Sequence, residues 1–246
     1  MTANELKYEF LQGYDKMFEY GAPAYDDKQI SSFLTKAQLR VFKRYYSPFK
    51  NKFREGFESS EFKSKGLSQL IRPASLGAGI TESSSQTGVH PQGTFYDLPS
   101  DYQFTIEEAV ELDGDEVGVK AVTHDFYTKN VDNPYKKPYS DLVWRMDFSR
   151  EDHGEDSVDF TGRTAKRVEL IVENKSTNPV TGYRLRYLCT PPDIVCDDFI
   201  TVNQRHCILD EVLQDEIVDE AIKIATAATK PEEYQISYAE QKENES

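Results

Sequence analysis

The chain has 246 residues, a mass of 28.2 kDa and a formal net charge of −14, from 29 basic and 43 acidic residues. This length can bury a full hydrophobic core in one large domain or two small ones. The acidic balance argues against binding nucleic acid through its phosphates, which requires clustered lysine and arginine side chains. No apolar run approaches the roughly 20 residues of a membrane helix, and we expect neither a membrane partner nor a secretory signal.

The N-terminal part, residues 1–73, carries the three- and four-residue apolar spacing of amphipathic helices. A first helix is predicted over residues 4–20. A second follows Asp26 or Asp27, either of which is a suitable N-cap residue. A third is predicted over residues 59–71. We therefore expect this part to be helical.

Residues 74–93 are small, polar and rich in glycine and serine, which predicts a flexible loop. Residues 94–205 then show the two-residue alternation of a β-rich part. Asp113-Gly114 is a hairpin signal between two of its strands. Further strands are predicted around Trp144, over 167–173 and over 182–188, with a short helix or irregular turn over 123–129. Strands close in sequence usually pair with one another, so we expect a mostly antiparallel sheet.

Residues 206–230 contain an amphipathic helix, predicted from about Asp210 to Ala228, with an alanine-rich face. Small side chains permit close helix contact, so we expect this helix to pack on the N-terminal helices. The predicted fold class is therefore α+β: N-terminal helices and a C-terminal helix packed together, with a central, mostly antiparallel β-region.

The last segment, residues 231–246, is too polar to fold alone. Three apolar residues nevertheless alternate within it: Tyr234, Ile236 and Tyr238. This pattern is compatible with a disordered tail, or with an exchanged arm that adds a strand to a neighbouring chain.

The sequence predicts no catalytic, cofactor-binding or metal-binding residue. Cys189, Cys196 and Cys207, with His206, lack the closely spaced pair typical of structural zinc sites, and three cysteines favour reduced thiols. His124 and Asp125 could suggest an acid–base pair, but the two residues are adjacent, so their side chains point apart. A small hydrolase that uses two carboxylates is the enzymatic alternative, although no carboxylate pair stands out.

Arg184 and Arg186 alternate along one predicted strand and therefore share one of its faces. They are candidate interface residues, which would meet the acidic C-terminal helix of a neighbouring chain. The alternative is that both form salt bridges within their own chain.

Several motifs occur in an order that resembles one family of proteins. They are Thr35-Lys36-Ala37-Gln38, Leu98-Pro99-Ser100-Asp101-Tyr102, Asn133-Pro134-Tyr135-Lys136-Lys137-Pro138 before Trp144-Arg145, and Tyr183-Arg184-Leu185-Arg186-Tyr187-Leu188 before Pro191-Pro192-Asp193-Ile194 and a helix containing Glu216-Ile217-Val218-Asp219-Glu220-Ala221. This order is similar to that of the head–tail connector and tail ring proteins of tailed bacteriophages, most like those of crAss-like phages.

The resemblance implies a non-enzymatic virion protein at the tail or head–tail interface, without a cofactor and assembled in the host cytoplasm. It implies a ring, commonly of twelve copies, that joins the portal protein or neighbouring tail ring proteins. The ring would line the channel of DNA ejection without binding DNA specifically. Each contact in a ring joins two different faces of neighbouring copies. The 74–93 loop and the 231–246 tail are candidates for exchanged arms at these contacts. A soluble adaptor module without ring symmetry is a further alternative.

Overall fold

The structure of the chain, a computed structural model, describes residues 1–17, 24–47, 61–77, 80–81, 93–139, 141–149, 166–173, 180–197 and 204–229. The helices are α1 (Ala3–Met17), α2 (Asp27–Tyr46), α3 (Glu61–Leu67), α4 (His124–Asn130) and α5 (Glu211–Thr229). The strands are β1 (Ile71–Leu76), β2 (Ile80–Thr81), β3 (Thr94–Asp97), β4 (Tyr102–Leu112), β5 (Asp115–Ala121), β6 (Leu142–Ser149), β7 (Lys166–Ile171) and β8 (Val180–Cys189). Two units result: a helical unit of Met1–Leu70 with Pro191–Ser246, and a sheet unit of Ile71–Thr190.

The helical unit packs α5 against α1 and α2, which confirms the expected docking of the C-terminal helix. Its core consists of apolar side chains at helical spacing, including Leu6, Phe10, Ile30, Leu34, Val41, Leu213, Ile217 and Ala221. Arg40 pairs with Glu220 at 3.1 Å and Arg44 with Glu216 at 2.8 Å, so α2 and α5 run antiparallel. The α+β prediction is therefore correct for the helical layer.

The helix boundaries follow local signals. Asp26 is the N-cap of α2, and its N–H donates to the Gln29 side chain at 3.1 Å. The third helix is shorter than predicted, because a 3₁₀ turn over Ser68–Leu70 leads directly into β1. The predicted helical end at residue 71 was thus wrong, since this position pairs with Leu188 of β8.

Two glycines lie where helices meet closely. A Cβ atom at Gly13 of α1 would overlap Ile222 Cδ1 of α5, and one at Gly66 of α3 would lie 2.8 Å from Leu213 Cδ1. A side chain at either position would therefore require the facing Ile222 or Leu213 side chain to move. The contact requirement explains why glycine occurs inside these helices despite its low helix propensity.

The sheet unit contains one sheet with the strand order β1-β8-β4-β5-β6-β7-β3-β2 among the described residues. Neighbouring strands are antiparallel except for β5 and β6, which are parallel. The predicted hairpin joins β4 and β5, where Asp113 (φ 49°) and Gly114 (φ 96°) both adopt left-handed conformations. The mostly antiparallel β-region is confirmed.

The sheet curls on itself. Strands β1 and β2 stand at opposite ends of the strand order, yet only three residues separate them in sequence, which limits the distance from Leu76 to Ile80 to about 14 Å. The rings of Tyr96 (β3) and Tyr183 (β8), on strands far apart in the order, lie 5.4 Å apart. The sheet therefore has an inner face, filled by residues such as Tyr96, Val110, Tyr183 and Leu185, and an outer face.

Helix α4 covers part of the outer face. Thr123 caps it by accepting a hydrogen bond from the Phe126 N–H at 3.2 Å, which decides between the short helix and the irregular turn that the sequence left open. Tyr127 packs with Trp144 and Met146 of β6 and with Ile171 of β7. The helix thereby covers the outer side of β6 and β7.

Part of the predicted sheet arrangement was wrong. Strands β1 and β2 occupy residues 71–76 and 80–81, inside or beside the predicted 74–93 loop, and β3 was not predicted as a strand. Strands β7 and β8 are consecutive in sequence and were expected to pair with each other, but each pairs with other strands. The cause is non-local pairing: the small residues Ala74 and Ser75 look like loop residues but pair with Leu185 and Arg184. Residues 82–92 and 231–246 lie outside the described residues.

None of the helices in the described part of the chain has the length and apolarity that crossing a bilayer requires.

The contact at Gly13 generates a prediction. Gly13→Ala should cost more stability in the wild-type chain than in an Ile222→Val background, because valine lacks the Cδ1 atom that the new Cβ would meet. Chemical denaturation of the two single variants and the double variant measures this coupling, which we expect at ~0.5–3 kcal/mol. Additive effects of the two substitutions would contradict the close contact of α1 and α5.

Candidate functional site

The predicted interface residues Arg184 and Arg186 lie on the outer face of the curled sheet. Arg184 stands between Ser75 of β1 and Ala109 of β4 in the strand register, and Arg186 stands opposite Glu107. Their side chains are 59% and 64% exposed. The inference that they share one face is thus supported by the register, because Leu185 between them is buried on the inner face.

Both arginines form ion pairs within the chain, one of the two alternatives that the sequence left open. Arg184 Nη2 pairs with Glu116 Oε2 of β5, and Arg186 Nη1 lies 3.5 Å from Glu107 Oε2 of β4. Exposed pairs of this kind contribute only ~0–1 kcal/mol, because water screens the charges and the long side chains lose entropy. The two arginines are therefore held weakly and can exchange partners at little cost.

A groove of about 470 Å³ opens on this face, and we refer to it as the outer groove. Its lining contains small residues and four long charged side chains: Pro73, Ser75 and Ala109, with Glu107, Glu116, Arg184 and Arg186. Gly118 of β5 stands directly opposite Ala109, and a Cβ atom added there would meet nothing within 4 Å. The floor of the groove therefore consists of small residues, and long charged side chains stand around it.

A buried polar network supports the groove from the inner face. The Tyr183 hydroxyl donates to Glu108 Oε2 at 2.7 Å, and Arg145 Nε of β6 lies 3.5 Å from the same oxygen. Arg145 also donates from Nη1 to Thr105 Oγ1 at 2.9 Å. Side chains of β4, β6 and β8 are thereby joined inside the sheet.

Burial is the largest single influence on the pKa values of Glu108, Arg145 and Tyr183. It raises the pKa of Glu108 above the usual carboxyl value, by more than the Arg145 charge and the Tyr183 hydrogen bond lower it. Burial also lowers the pKa of Arg145, but the Glu108 and Asp147 carboxylates outweigh it and raise this pKa overall. The pKa of Tyr183 is raised, chiefly by burial.

The adjacent carboxylates of Glu107 and Glu108 do not have the arrangement that two-carboxylate hydrolysis requires. Such chemistry requires both acids to flank one bond of a substrate. Glu107 and Glu108 are adjacent on β4, and their side chains lie on the outer and inner faces of the sheet respectively. This carboxylate pair therefore cannot act on one substrate.

The candidate zinc ligands are engaged in packing and hydrogen bonds. Cys189, Cys196 and Cys207 are buried free thiols, and burial raises the pKa values of Cys189 and Cys207. Cys196 Sγ donates to the Ala3 carbonyl at 3.4 Å, and His206 Nδ1 accepts from the Ala3 N–H at 3.0 Å. Within the described ranges, no three His, Cys, Asp or Glu side chains are grouped so as to hold a metal ion.

One exposed residue was not singled out from the sequence. Tyr135, in the loop between α4 and β6, is 87% exposed. Its N–H donates to Asn133 Oδ1 at 3.0 Å, and the N–H groups of Lys136 and Lys137 both donate to the Asn133 carbonyl, at 3.0 and 2.9 Å. The Asn133-Pro134 step was a signal for such a turn, but the pattern does not reveal whether the following tyrosine is buried. Tyr234, Ile236 and Tyr238, the other predicted interface residues, lie outside the described residues.

Comparison with known proteins identifies the class. The family model for phage tail ring protein 3/4 matches residues 1–235, and the chain belongs to this family. It is 28% identical over 239 residues to ring protein 4/5 of Bacteroides phage crAss001, with 93% of each protein covered. It is 25% identical over 215 residues to ring protein 3 of the same phage, covering 81% of this chain and 84% of that protein. The resemblance to crAss-like phage ring proteins is confirmed.

The raised pKa of Glu108 generates a prediction about pH. A carboxyl whose folded pKa exceeds its unfolded value, here about 4.5, contributes stability below that pH, and this contribution is lost as the pH rises through the folded pKa. Glu108→Gln removes the ionisation, so the variant should gain stability relative to the wild type as the pH rises from below 4.5 to 7. Urea denaturation at several pH values measures the difference.

Glu107→Gln, at the neighbouring exposed position of β4, is the matched control and should show no comparable trend. A Glu108→Gln variant that loses stability relative to the wild type over the same pH range would contradict the dominance of burial at Glu108.

Proposed function

We propose that the chain is a structural, non-enzymatic component of a ring in the virion, at the tail or the head–tail interface. The observation that carries this proposal is membership of the phage tail ring protein 3/4 family over residues 1–235. Both curated relatives are named as ring proteins of one phage, and they cover most of this chain. The opposite orientation of Glu107 and Glu108 gives the hydrolase alternative no support.

The ring contains copies of this chain, and twelve is the number that the family resemblance implies. It joins the portal protein or a neighbouring tail ring protein, after assembly in the host cytoplasm, and it surrounds the channel of DNA ejection. The net charge of −14 supports this role, because an acidic wall repels the phosphate backbone over a Debye length of ~8–10 Å. DNA then passes the wall without specific binding.

Closed rings of identical chains need two different complementary surfaces on each copy. The outer groove is one such surface, with Arg184 and Arg186 facing the neighbouring copy. Their exposed pairs with Glu116 and Glu107 favour this role, because weak pairs can be replaced by contacts across an interface. A contact that excludes water would strengthen the new pairs, since screening falls as the charges are buried.

Charge reversal tests this surface. The double variant Arg184→Glu and Arg186→Glu should fold but assemble at least tenfold more weakly than the wild type, because four acidic side chains would then meet beside the groove. Native mass spectrometry, with and without the portal protein, measures the assembled fraction. Lys129→Glu, a reversal at an exposed position on α4, is the matched control and should assemble normally. Wild-type assembly by the double variant would refute the proposed role of both arginines.

The C-terminal segment is proposed as the exchanged arm, in which Tyr234, Ile236 and Tyr238 add a strand to a neighbouring chain. Deletion of residues 231–246 should weaken assembly while the remaining chain keeps its thermal unfolding transition. The matched control is deletion of residues 239–246 alone, which keeps the three alternating apolar residues. Wild-type assembly by the chain that lacks residues 231–246, measured by analytical ultracentrifugation, would show that the arm is not needed.

A further inference from the structure

Tyr135 projects from a turn whose backbone is fixed by several hydrogen bonds. Asn133 accepts from three successive N–H groups, through its side chain and its carbonyl, and the Tyr139 hydroxyl donates to the Pro134 carbonyl at 2.9 Å. Lys137 Nζ pairs with Glu173 Oε1 of the sheet unit at 2.6 Å. The turn is therefore already ordered, and binding a partner costs it little further entropy.

The exposure of this ring is unfavourable in an isolated chain. A buried aromatic side chain removes 150–250 Å² from water, and tyrosine is enriched among the few residues that dominate binding energy at interfaces. Tyr135 is the most exposed large hydrophobic residue of the described chain, at 87%. An exposed tyrosine on an ordered turn has the properties of an interface anchor.

The outer groove has the complementary properties. The small residues Ser75 and Ala109 leave space between the charged side chains, and Arg184 and Arg186 line the same space. Guanidinium groups interact favourably with the face of a tyrosine ring. The carboxylates of Glu107 and Glu116 complement Lys136, the exposed neighbour of Tyr135. The groove thus offers both an aromatic site and a partner for the adjacent lysine.

We propose that Tyr135 of one copy inserts into the outer groove of the next copy. The inference rests on the proposed ring and names the surfaces that form it. The anchor and the groove are different surfaces of the same sheet unit, so each copy offers one anchor and one groove. This is the heterologous arrangement that a ring requires.

Two variants test the contact. Tyr135→Ser removes the anchor, and Gly118→Phe adds a large side chain next to the groove residue Ala109, at a position where an added Cβ meets no neighbouring atom. Each change lies at an exposed position, so both chains should keep the wild-type unfolding transition. Each variant alone should associate about 30-fold more weakly than the wild type, as expected for loss of an interface anchor. Tyr135→Phe should retain assembly, and Tyr8→Ser, which removes another exposed tyrosine, is the matched control.

Mixing the two variants gives the most specific result. The Gly118→Phe chain keeps its anchor and the Tyr135→Ser chain keeps its groove, so the mixture should form heterodimers that do not grow into rings. Native mass spectrometry distinguishes these from monomers and rings. Rings formed by either variant at wild-type yield would overturn the inference while leaving the proposed function intact.

Two other outcomes would also be decisive. The rival occupant of the groove is the exposed acidic stripe of α5, formed by Glu211, Asp215 and Asp219. If reversing the charge of this stripe abolishes rings while Tyr135→Ser does not, the anchor is wrongly assigned. If the wild-type chain forms no ring, alone or with the portal protein, the proposed function fails and the inference fails with it.

Discussion

The hydrogen bond from Tyr183 to Glu108, with Arg145 beside it, constrains the register of three strands in the sheet unit. Side chains alternate strictly between the faces of a strand, so a slip of one residue would exchange the inner and outer sets. Such a slip would place Glu108 outside and Glu107 inside, leaving Arg145 buried without that carboxylate. Buried polar groups without partners are costly, and we infer that this network helps to select the observed register.

The outer surface depends on that register. With Tyr183 and Leu185 inside, Arg184 and Arg186 must lie outside, where they meet residues of β1, β4 and β5. The curl of the sheet closes the inner face, so the outer face is the one available to a partner. The proposed ring of identical copies would need such a surface, and a sheet of fixed register would present it in the same form on every copy. Weak exposed ion pairs then leave the surface free to adapt on assembly.

The sequence predicted the elements whose signals are local. Phe10 of α1 and Leu34 of α2 each belong to an apolar stripe at helical spacing. Asp113-Gly114 has the left-handed preference that the β4–β5 turn requires. It did not predict β1, because Ala74 and Ser75 carry no strand signal of their own and pair with residues far later in the chain. The parallel pairing of β5 and β6 was also missed, since α4 between them was expected only as a short helix or a turn.

In the candidate site, too, local sequence signals predict some features, and others depend on strands that are distant in sequence. Alternation along β8 was enough to place Arg184 and Arg186 on one face. The groove between them was not predictable, because it depends on small residues of β1 and β4 that only the sheet register brings together. The exposure of Tyr135 was not predictable either, since an Asn-Pro turn indicates a loop but not the direction of the following ring.

The mass of the purified wild-type protein in solution, measured alone and after mixing with the portal protein of its phage, tests the central claim most directly. A closed ring predicts one dominant species to which this chain contributes an integer multiple of 28.2 kDa, twelve in the proposed case, with no continuous series of larger forms. A protein that stays at 28.2 kDa under both conditions would contradict the account.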